Sequence, residues 1–230
     1  MLQQTQTERV REKYETFIAS FPDFASLAQA SLREILRVWQ GLGYNRRAVA
    51  LKKVAQTVMT RFHGDLPSSP EALMSLPGIG RATACAICAF AFNKPVVFIE
   101  TNIRRVFIHH FFQEENDVKD AQILPLVAET LDTSNPRKWY FALMDYGTML
   151  KKQYQNPNRK SAHYQRQPPF EGSNRQIRGM ILRTLTAESP LSQREIEEKL
   201  GKNPERIKGT LIQLQKEGFI KRNRGRFAIA

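Results

Sequence analysis

Two glycines separated by one residue stand between two helical patterns near the middle of the chain. Residues Leu76 to Gly80 read Leu-Pro-Gly-Ile-Gly, and an apolar helical pattern opens at Arg81. Because glycine reaches backbone angles that are closed to other residues, this turn can be tight and can present bare backbone N–H groups. Those groups and the N-terminus of the next helix together form a seat for a phosphate. Taken alone, the motif is also compatible with an ordinary helix–helix corner.

An acidic residue follows this turn by about twenty positions and supplies the missing context. The stretch Glu100 to Val106 reads Glu-Thr-Asn-Ile-Arg-Arg-Val and predicts the start of a helix. Turn and acidic stretch together resemble the helix-hairpin-helix glycosylase family, in which a catalytic aspartate precedes a similar helix start. The resemblance implies that the hairpin grips DNA. The DNA-binding residues that it implies here are Leu76, Gly78, Gly80, Arg81 and Arg104.

The charge balance points to a polyanionic partner. Lys and Arg number 35 against 22 Asp and Glu, which gives a formal net charge of +13. Basicity alone does not separate DNA, RNA and an anionic membrane. No apolar run approaches the roughly 18 residues of a spanning helix, and the amino terminus lacks a signal-peptide pattern. We therefore expect no membrane and a cytoplasmic, nucleoid-associated location, while the glycosylase resemblance implies double-stranded DNA with a mismatch or lesion as partner and a monomer.

Periodicity predicts a mainly α fold in two domains. Apolar spacing predicts a first helix already under way at Leu2 and a second from about Ser26 to Trp39. Further helices are predicted up to about residue 151, with no strand before residue 215. Residues 152–174 lose periodicity and predict a basic linker. The expected division is a helix-hairpin-helix glycosylase domain at 1–151, this linker, and a second domain at 175–230.

The second domain resembles a winged helix-turn-helix. Ser192 with Glu195 predicts a capping box, and Asn203–Gln215 is the expected recognition helix. A hairpin follows, whose basic tip makes Lys221, Arg222 and Arg224 candidate DNA-binding residues. Residues 175–230 contain thirteen Lys and Arg against six Asp and Glu, a net charge of +7. This composition favours a region that adds affinity for DNA, and a protein-interaction module is the alternative.

Three segments together resemble adenine DNA glycosylases of the MutY type over about residues 1–150. They are Met-Leu-Gln-Gln-Thr-Gln at the start, Gly41–Tyr44, and Leu76–Arg81. In that family the first segment supplies side chains that enter the duplex where a base is flipped out, because extrusion leaves a hole in the stack. Gln4 and Thr5 hold the matching places. Tyr44 of the second segment and Arg46, two residues after it, are further DNA-binding candidates.

Glu100 and Asn102 are the catalytic candidates that this resemblance implies. Breaking an N-glycosidic bond builds positive charge on the sugar, and an ionised carboxylate stabilises it. Glu100 stands where the family has aspartate and reaches one methylene further. A purely structural role, capping the helix at Thr101, is compatible with catalysis. Asn102 matches the asparagine that positions the sugar and the carboxylate.

The resemblance implies a monofunctional DNA N-glycosylase of base-excision repair, with adenine opposite 8-oxoguanine or guanine as the favoured substrate. The alternatives are a thymine or uracil mismatch glycosylase and a non-catalytic binder of damaged DNA. Clusterless relatives of this fold motivate the first alternative, and the missing upstream glutamate, the change from aspartate to Glu100 and the appended winged helix motivate the second. Three departures from the family pattern matter. The family's proton-donating glutamate would precede Met1, so either the reading frame starts earlier or the step is lacking. Ala82 replaces the lysine of bifunctional relatives and cannot form a Schiff base. Asn45 replaces a second aromatic wedge.

No cofactor held by side chains is expected. The chain has two cysteines, Cys85 and Cys88, in an apolar helical pattern where packing is the favoured explanation. Residues 151–168, where the family's iron–sulfur ligands would lie, contain none, so no four-thiolate cluster can be built. His109, His110 and His163 suggest zinc only weakly, and a structural or DNA-facing role is favoured. The resemblance also implies a monovalent cation bound by backbone carbonyls at the hairpin.

Overall fold

A computed structural model describes residues 1–230, which separate into two compact units. One unit combines Met1–Asp65 with Pro168–Ala230, and the other is Leu66–Gln167. No helix is long and apolar enough to cross a membrane. The elements in chain order are α1 (Thr7–Ser20), α2 (Phe24–Gln29), α3 (Leu32–Trp39), α4 (Arg46–Arg61), α5 (Pro70–Met74), α6 (Arg81–Phe92), α7 (Thr101–Phe111), α8 (Asp120–Thr130), α9 (Pro136–Gln153), the 3-10 helix η1 (Pro157–Lys160), α10 (Asn174–Ala187), β1 (Leu191–Ser192), α11 (Gln193–Leu200), α12 (Pro204–Lys216), β2 (Ile220–Asn223) and β3 (Arg226–Ile229).

The mainly α fold class is confirmed, but the structure divides the chain differently from the expected boundaries at 151 and 175. Helices α1 to α4 share one apolar core with α10 to β3. Ile35 and Trp39 of α3 belong to the same buried cluster as Ile181 and Leu185 of α10. Arg33 adds polar contacts, donating from Nε to the carbonyl of Thr186 at 2.9 Å. The segment from α10 to β3, which we call the winged region, is therefore part of the same unit as the first four helices.

Apart from the strand β1, the winged region has the order of three helices and a hairpin that its sequence predicts. Its three helices carry a three-stranded antiparallel sheet in the order β1–β3–β2, with Ile220 opposite Ile229. The capping box of α11 is confirmed, since Glu195 and Ser192 exchange hydrogen bonds of 2.6 and 3.3 Å. The strand β1 contradicts the expectation of no strand before residue 215. Two residues are too few to show an alternating pattern, so periodicity could not reveal it.

Two of the predicted N-terminal helices differ from the structure. Residues 1–5 form a loop, and α1 begins at Thr7. Gln4 takes a positive φ of 56°, which a right-handed helix does not contain. The single helix expected from Ser26 to Trp39 is two helices. The break follows from a second capping box, in which Ser31 and Glu34 exchange hydrogen bonds and start α3 afresh.

The other unit is built around α7, which packs on α8, α9 and η1. Its core contains Ile103 and Phe107 of α7 together with Tyr140 and Leu150 of α9. Cys85 also lies in this core, and Cys88 is buried nearby with Sγ 3.5 Å from the carbonyl of Ser68. Burial raises the pKa of both thiols, as the packing interpretation predicts.

The segment expected to be a linker at 152–174 is partly built into this unit. Helix α9 runs on to Gln153, and η1 follows within the segment. Pro157 and Asn158 are buried, and the Asn158 amide donates to the carbonyl of Thr101 at 2.9 Å. Ser161 also pairs with Val118 as an isolated parallel bridge. Buried side-chain contacts of this kind leave no signature in periodicity, so the sequence indicated a free linker.

Removing the winged region tests the shared core. We expect a chain ending at residue 174 to lose the cooperative folding of α1 to α4, because the apolar face of α3 would be exposed to water. The sequence had favoured a removable affinity module, which predicts the opposite. The measurement is amide hydrogen exchange in residues 7–61 together with thermal melting followed by circular dichroism. Full exchange protection of α3 in the truncated chain would contradict the shared-core account.

Candidate active site

The carboxylate of Glu100 caps the N-terminus of α7. Its Oε1 accepts hydrogen bonds from the backbone N–H groups of Asn102 and Ile103, the latter at 2.9 Å. Both bonds end on Oε1, and Oε2 accepts none from the chain. The side chain is half-buried. One oxygen is thus used for helix capping, and the other is left for chemistry.

The electrostatic surroundings of Glu100 push its pKa in two directions. Burial raises the pKa above that of an ordinary glutamate, and this is the largest effect. The two backbone hydrogen bonds and the positive charges of Arg105 and Arg104 oppose it. The net direction is upward. The carboxylate is therefore a stronger base than an exposed glutamate, as expected of a group poised for acid–base or electrostatic chemistry.

A buried arginine holds the Asn102 amide beside this carboxylate. Arg105 donates to Asn102 Oδ1 at 2.7 Å, to the carbonyl of Gly147 at 2.5 Å and to Asn156 Oδ1 at 3.1 Å. These acceptors come from α7, α9 and the residue before η1. With its oxygen bound to Arg105, Asn102 turns its Nδ2 towards Met144 Sδ, 3.7 Å away. The Asn102 amide is thereby orientated with its NH2 group away from Arg105.

Gly147 allows α9 to approach α7 this closely. A β-carbon at position 147 would lie 2.5 Å from the carbonyl oxygen of Asn102 and 2.8 Å from its Cβ. Distances below about 3.0 Å are not tolerated, so only glycine fits. The residue that contacts the Asn102 backbone also supplies a carbonyl to Arg105. Position 147 therefore bears directly on the geometry of the candidate catalytic residues.

The structure gives Arg104 a partner within the chain. Its Nε and Nη2 donate to the two carboxylate oxygens of Asp120, each at 2.7 Å. The side chain is 17% exposed, and Arg104 holds the pKa of Asp120 below its usual range. A guanidinium bound bidentately in this way is committed to packing α8 on α7. The DNA-binding role of Arg104 stays a prediction, and within the chain its guanidinium is bound to Asp120.

The hairpin lies between α5 and α6. Leu76 is buried and anchors it, while Gly78 and Gly80 are exposed. Gly78 has a φ of +75°, in the left-handed region that glycine favours, so this is a turn that requires glycine. Gly80 is the N-cap of α6 and has no side chain to cap it. Arg81 and Ala82 are exposed in the first helical turn, as a phosphate seat requires.

The candidate wedge residues lie in two loops of the other unit. Gln4 is exposed in the N-terminal loop, which we define as residues 1–5. Tyr44 is 37% exposed in the glycine loop, residues 41–44. Thr5 joins the two, since its Oγ1 donates to the carbonyl of Leu42 at 3.2 Å. The structure thus brings the two sequence motifs together. Thr5 is half-buried in this contact and so is less available to a duplex than Gln4.

Arg46 is tied to the winged region. It donates to both oxygens of Glu217 at 3.0 and 2.6 Å, and Arg178 donates to the same two oxygens at 2.7 and 3.1 Å. Hydrogen bonds and charge from the two arginines lower the pKa of Glu217 to about 2, with that of Arg46 the largest effect. The Arg46 side chain keeps 68% exposure, and it shares the single negative charge of Glu217 with Arg178. A DNA contact of Arg46 stays a prediction.

The basic tip of the winged region is exposed throughout. Lys221, Arg222 and Arg224 surround the turn between β2 and β3, where Gly225 has a φ of +78°. Arg222 lies over the ring of Phe227 at 5.4 Å, which fixes its stem. The three side chains therefore form a positive surface without acidic partners among the ion pairs of the chain.

The possible metal-ligating side chains do not form a cluster. No group of three or more His, Cys, Asp or Glu residues lies close enough to hold a metal ion. Where the resemblance places cluster cysteines, Asn156 and Asn158 instead make hydrogen bonds to Arg105 and to Thr101. His110 is hydrogen-bonded to the Tyr146 hydroxyl at 2.8 Å, and His163 lies 4.0 Å from Asp120. The donor set does not fit a four-thiolate cluster.

Sequence reasoning missed Arg105 and Arg47. Asn102 and Arg105 are three residues apart and so share a helix face, a spacing that could have linked them. Arg47 lies in the first turn of α4, where the helix dipole disfavours a positive charge. A basic residue at a helix N-terminus indicates that acceptors elsewhere in the chain compensate its charge, and the sequence contained this signal for Arg47.

Comparisons with known proteins show which family the chain resembles. Residues 1–124 match the family described as "HhH-GPD superfamily base excision DNA repair protein". The chain is 29% identical to the adenine DNA glycosylase of Mycolicibacterium smegmatis over all of its own length and 85% of that protein. It is 36% identical to that of Buchnera aphidicola subsp. Baizongia pistaciae over 65% of its own length, and it spans only 43% of that relative.

The fold also matches solved structures. A thermostable thymine-DNA glycosylase superposes with a TM-score of 0.59 over 69% of this chain and 75% of the other, at 24% identity. An endonuclease III trapped on DNA superposes with a TM-score of 0.50 at 19% identity, over 65% of this chain and 68% of the other. At these identities the likeness concerns the fold alone. The match over residues 1–124 shows that the chain belongs to the HhH-GPD superfamily of base excision DNA repair proteins.

Proposed function

We propose that this chain is a DNA glycosylase that removes a mispaired adenine, opposite 8-oxoguanine or guanine, by hydrolysis of the N-glycosidic bond. The observation that carries the proposal is the carboxylate of Glu100, half-buried at the start of α7 with one oxygen uncommitted. The relatives at 29% and 36% identity are adenine DNA glycosylases by name and supply the choice of base.

The chemistry follows from the geometry around Glu100. As the bond between the sugar C1′ and the base nitrogen breaks, positive charge develops on the sugar ring. Glu100 Oε2 would face that charge, while Oε1 keeps the side chain fixed through the N–H groups of Asn102 and Ile103. Water then adds its oxygen to C1′, and the leaving base takes up a proton. The Asn102 NH2 group, orientated by Arg105, would hold the sugar.

Three parts of the chain would contact the DNA. The hairpin at Leu76–Gly80 would seat a phosphate, with a monovalent cation on its backbone carbonyls as the family resemblance implies. Gln4 and Tyr44 would enter the stack where the base leaves. The winged region would add phosphate contacts through its basic tip. The substrate is double-stranded DNA, the protein acts as a monomer, and no iron–sulfur cluster takes part.

We propose further that the protein is monofunctional. A bifunctional enzyme needs an amine that forms a Schiff base with the opened sugar. Ala82 occupies the exposed first turn of α6 and carries no amine. Cleavage of the DNA strand would then require added alkali.

A panel of duplexes tests the substrate and the absence of lyase activity. We expect excision of adenine opposite 8-oxoguanine or guanine, strand breaks only after heating in alkali, and little covalent adduct with borohydride. An adenine–thymine duplex is the control. Excision of thymine or uracil opposite guanine instead would favour the alternative mismatch activity. Binding of every mismatch without excision would favour the non-catalytic alternative.

The raised pKa of Glu100 predicts a pH dependence of excision. Catalysis needs the ionised carboxylate, so the single-turnover rate should fall as the pH drops through the pKa of this group. Because burial raises that pKa, the fall should begin at a higher pH than for an exposed glutamate. Glu100→Gln should slow excision by about 10²-fold or more and abolish the acid limb.

The conservative variant Glu100→Asp provides the control for reach. It retains the charge, so an acid limb should persist even if the rate changes. An identical pH profile for wild type and Glu100→Gln would show that Glu100 is not the ionising group. The measurement is single-turnover excision with enzyme in excess, from about pH 4 to pH 9 in steps around the Glu pKa.

Salt dependence tests the basic tip of the winged region. The double variant Lys221→Ala with Arg224→Ala should weaken DNA binding and reduce the slope of log K against log salt by up to about two. The matched control is Arg194→Ala with Lys199→Ala, which removes the same charge from residues paired with Glu198 and Glu188. Equal slopes for both double variants would contradict a phosphate contact at the tip.

A further inference from the structure

Arg47 occupies the space between the N-terminal loop and the glycine loop. Its Nη1 donates to the carbonyls of Met1 and Gln3, each at 2.6 Å. Its Nη2 donates to Thr5 Oγ1 at 2.9 Å and to the carbonyls of Leu42 and Gly43, each at 3.2 Å. One guanidinium therefore binds acceptors from both loops that carry the candidate wedge residues.

Aromatic rings enclose the same guanidinium. The Arg47 carbon Cζ lies 5.5 Å from the ring centre of Trp39 and 5.4 Å from that of Tyr44. The indole of Trp39 also donates to the carbonyl of Gly43 at 3.0 Å. Burial lowers the pKa of Arg47, yet a guanidinium remains charged at any physiological pH. The contact thus joins hydrogen bonds with cation–π attraction to Tyr44 itself.

The two loops hold backbone conformations that need outside support. Gln4 has a φ of 56° and Tyr44 a φ of 46°, so each candidate wedge residue lies in the left-handed region. Such conformations are unfavourable for residues other than glycine and persist only where neighbouring structure enforces them. Arg47 binds the carbonyl directly before Gln4 and the one directly before Tyr44. It therefore fixes the peptide units next to both strained residues.

Arg47 is poorly placed to bind DNA itself. Both of its Nη atoms already donate to acceptors of the chain, and its Nε is buried without a partner. A phosphate contact would require these bonds to be broken. Its neighbour Arg46 turns the other way, to Glu217. The guanidinium of Arg47 therefore acts on the loops and not on a ligand.

We propose that Arg47 is the positioning residue that holds Gln4 and Tyr44 in the conformation needed to extrude the target base. The inference rests on the proposed glycosylase function and adds a specific determinant to it. Arg47 would assist the extrusion step and leave the breaking of the N-glycosidic bond to Glu100. The two Nη atoms together donate to five acceptors, and a lysine offers fewer donors without the planar fork of a guanidinium.

The test separates extrusion from bond breaking with two substrates. One is a duplex in which the target adenine lies opposite 8-oxoguanine, and the other places the same adenine in an unpaired bubble, where extrusion is cheap. Arg47→Ala should slow single-turnover excision from the duplex by about tenfold or more and leave the bubble substrate nearly unaffected. Arg47→Lys should slow excision from the duplex less than Arg47→Ala does. Fluorescence of 2-aminopurine beside the target should show a matching loss of extrusion.

Arg33→Ala is the matched control. Arg33 is another arginine of the same unit that donates to two backbone carbonyls, those of Thr186 and Ala187, but it contacts neither loop. Its loss should lower the melting temperature without changing the ratio of duplex to bubble rates. Should Arg47→Ala fail to fold, Arg47→Lys provides the same ratio in a folded protein.

The experiment separates a failure of the proposed glycosylase function from a failure of the positioning role of Arg47. If the wild type excises adenine from neither substrate, the proposed function fails. If the wild type excises adenine but both Arg47 variants keep the wild-type ratio of duplex to bubble rates, the positioning role is overturned. Equal slowing on the duplex and the bubble would also overturn the positioning role, because a general loss of structure slows excision from both substrates alike.

Discussion

The unit that carries Glu100 depends on a buried positive charge. Arg105 is only 4% exposed, and a guanidinium in such a place is strongly unfavourable unless its donors are satisfied. Its acceptors come from α7, from the backbone of α9 and from Asn156. Three segments must therefore meet at one point, and the glycine at position 147 lets the two helices come close enough. The orientation of Asn102 follows from satisfying that charge.

Two pairs of adjacent arginines divide their roles in the same manner. In Arg104–Arg105 the first residue binds a carboxylate on a neighbouring helix and the second lies inside. In Arg46–Arg47 the first again binds a carboxylate, Glu217, and the second gathers backbone carbonyls. Consecutive helical positions point about 100° apart, so one member of each pair can face outwards while the other faces the interior. Residue type alone does not tell the two members apart.

Part of the structure could be predicted from the sequence because it depends on interactions between residues that are close together in the chain. The glycine turn at residues 76–80, the Ser192–Glu195 capping box and the β2–β3 hairpin each depend on residues close together in the chain. The Ser31–Glu34 capping box was equally readable, but the apolar spacing through it favoured one long helix. The mainly α class and the family followed from these local signals and from the motifs.

Contacts between distant residues could not be predicted in this way. The apolar faces of α3 and α10 are each consistent with many partners, so periodicity could not show that they share a core. Hydrogen bonds from Arg47 to backbone carbonyls have no residue-type signature at the acceptor. The same holds for the commitment of Arg104 to Asp120, which requires α8 to be packed on α7. Placement of Glu100, by contrast, came from the motif around it.

The shared core of α1–α4 and α10–β3 has a consequence for the order in which the chain folds during synthesis. Residues 66–167 form a unit whose contacts are complete once that stretch has left the ribosome. The first four helices must wait for residues up to 229 before their apolar face is covered. At about 5–20 residues per second, this wait is on the order of ten seconds. The nascent chain therefore exposes the apolar face of its first four helices, to which chaperones can bind, while residues 66–167 can already fold.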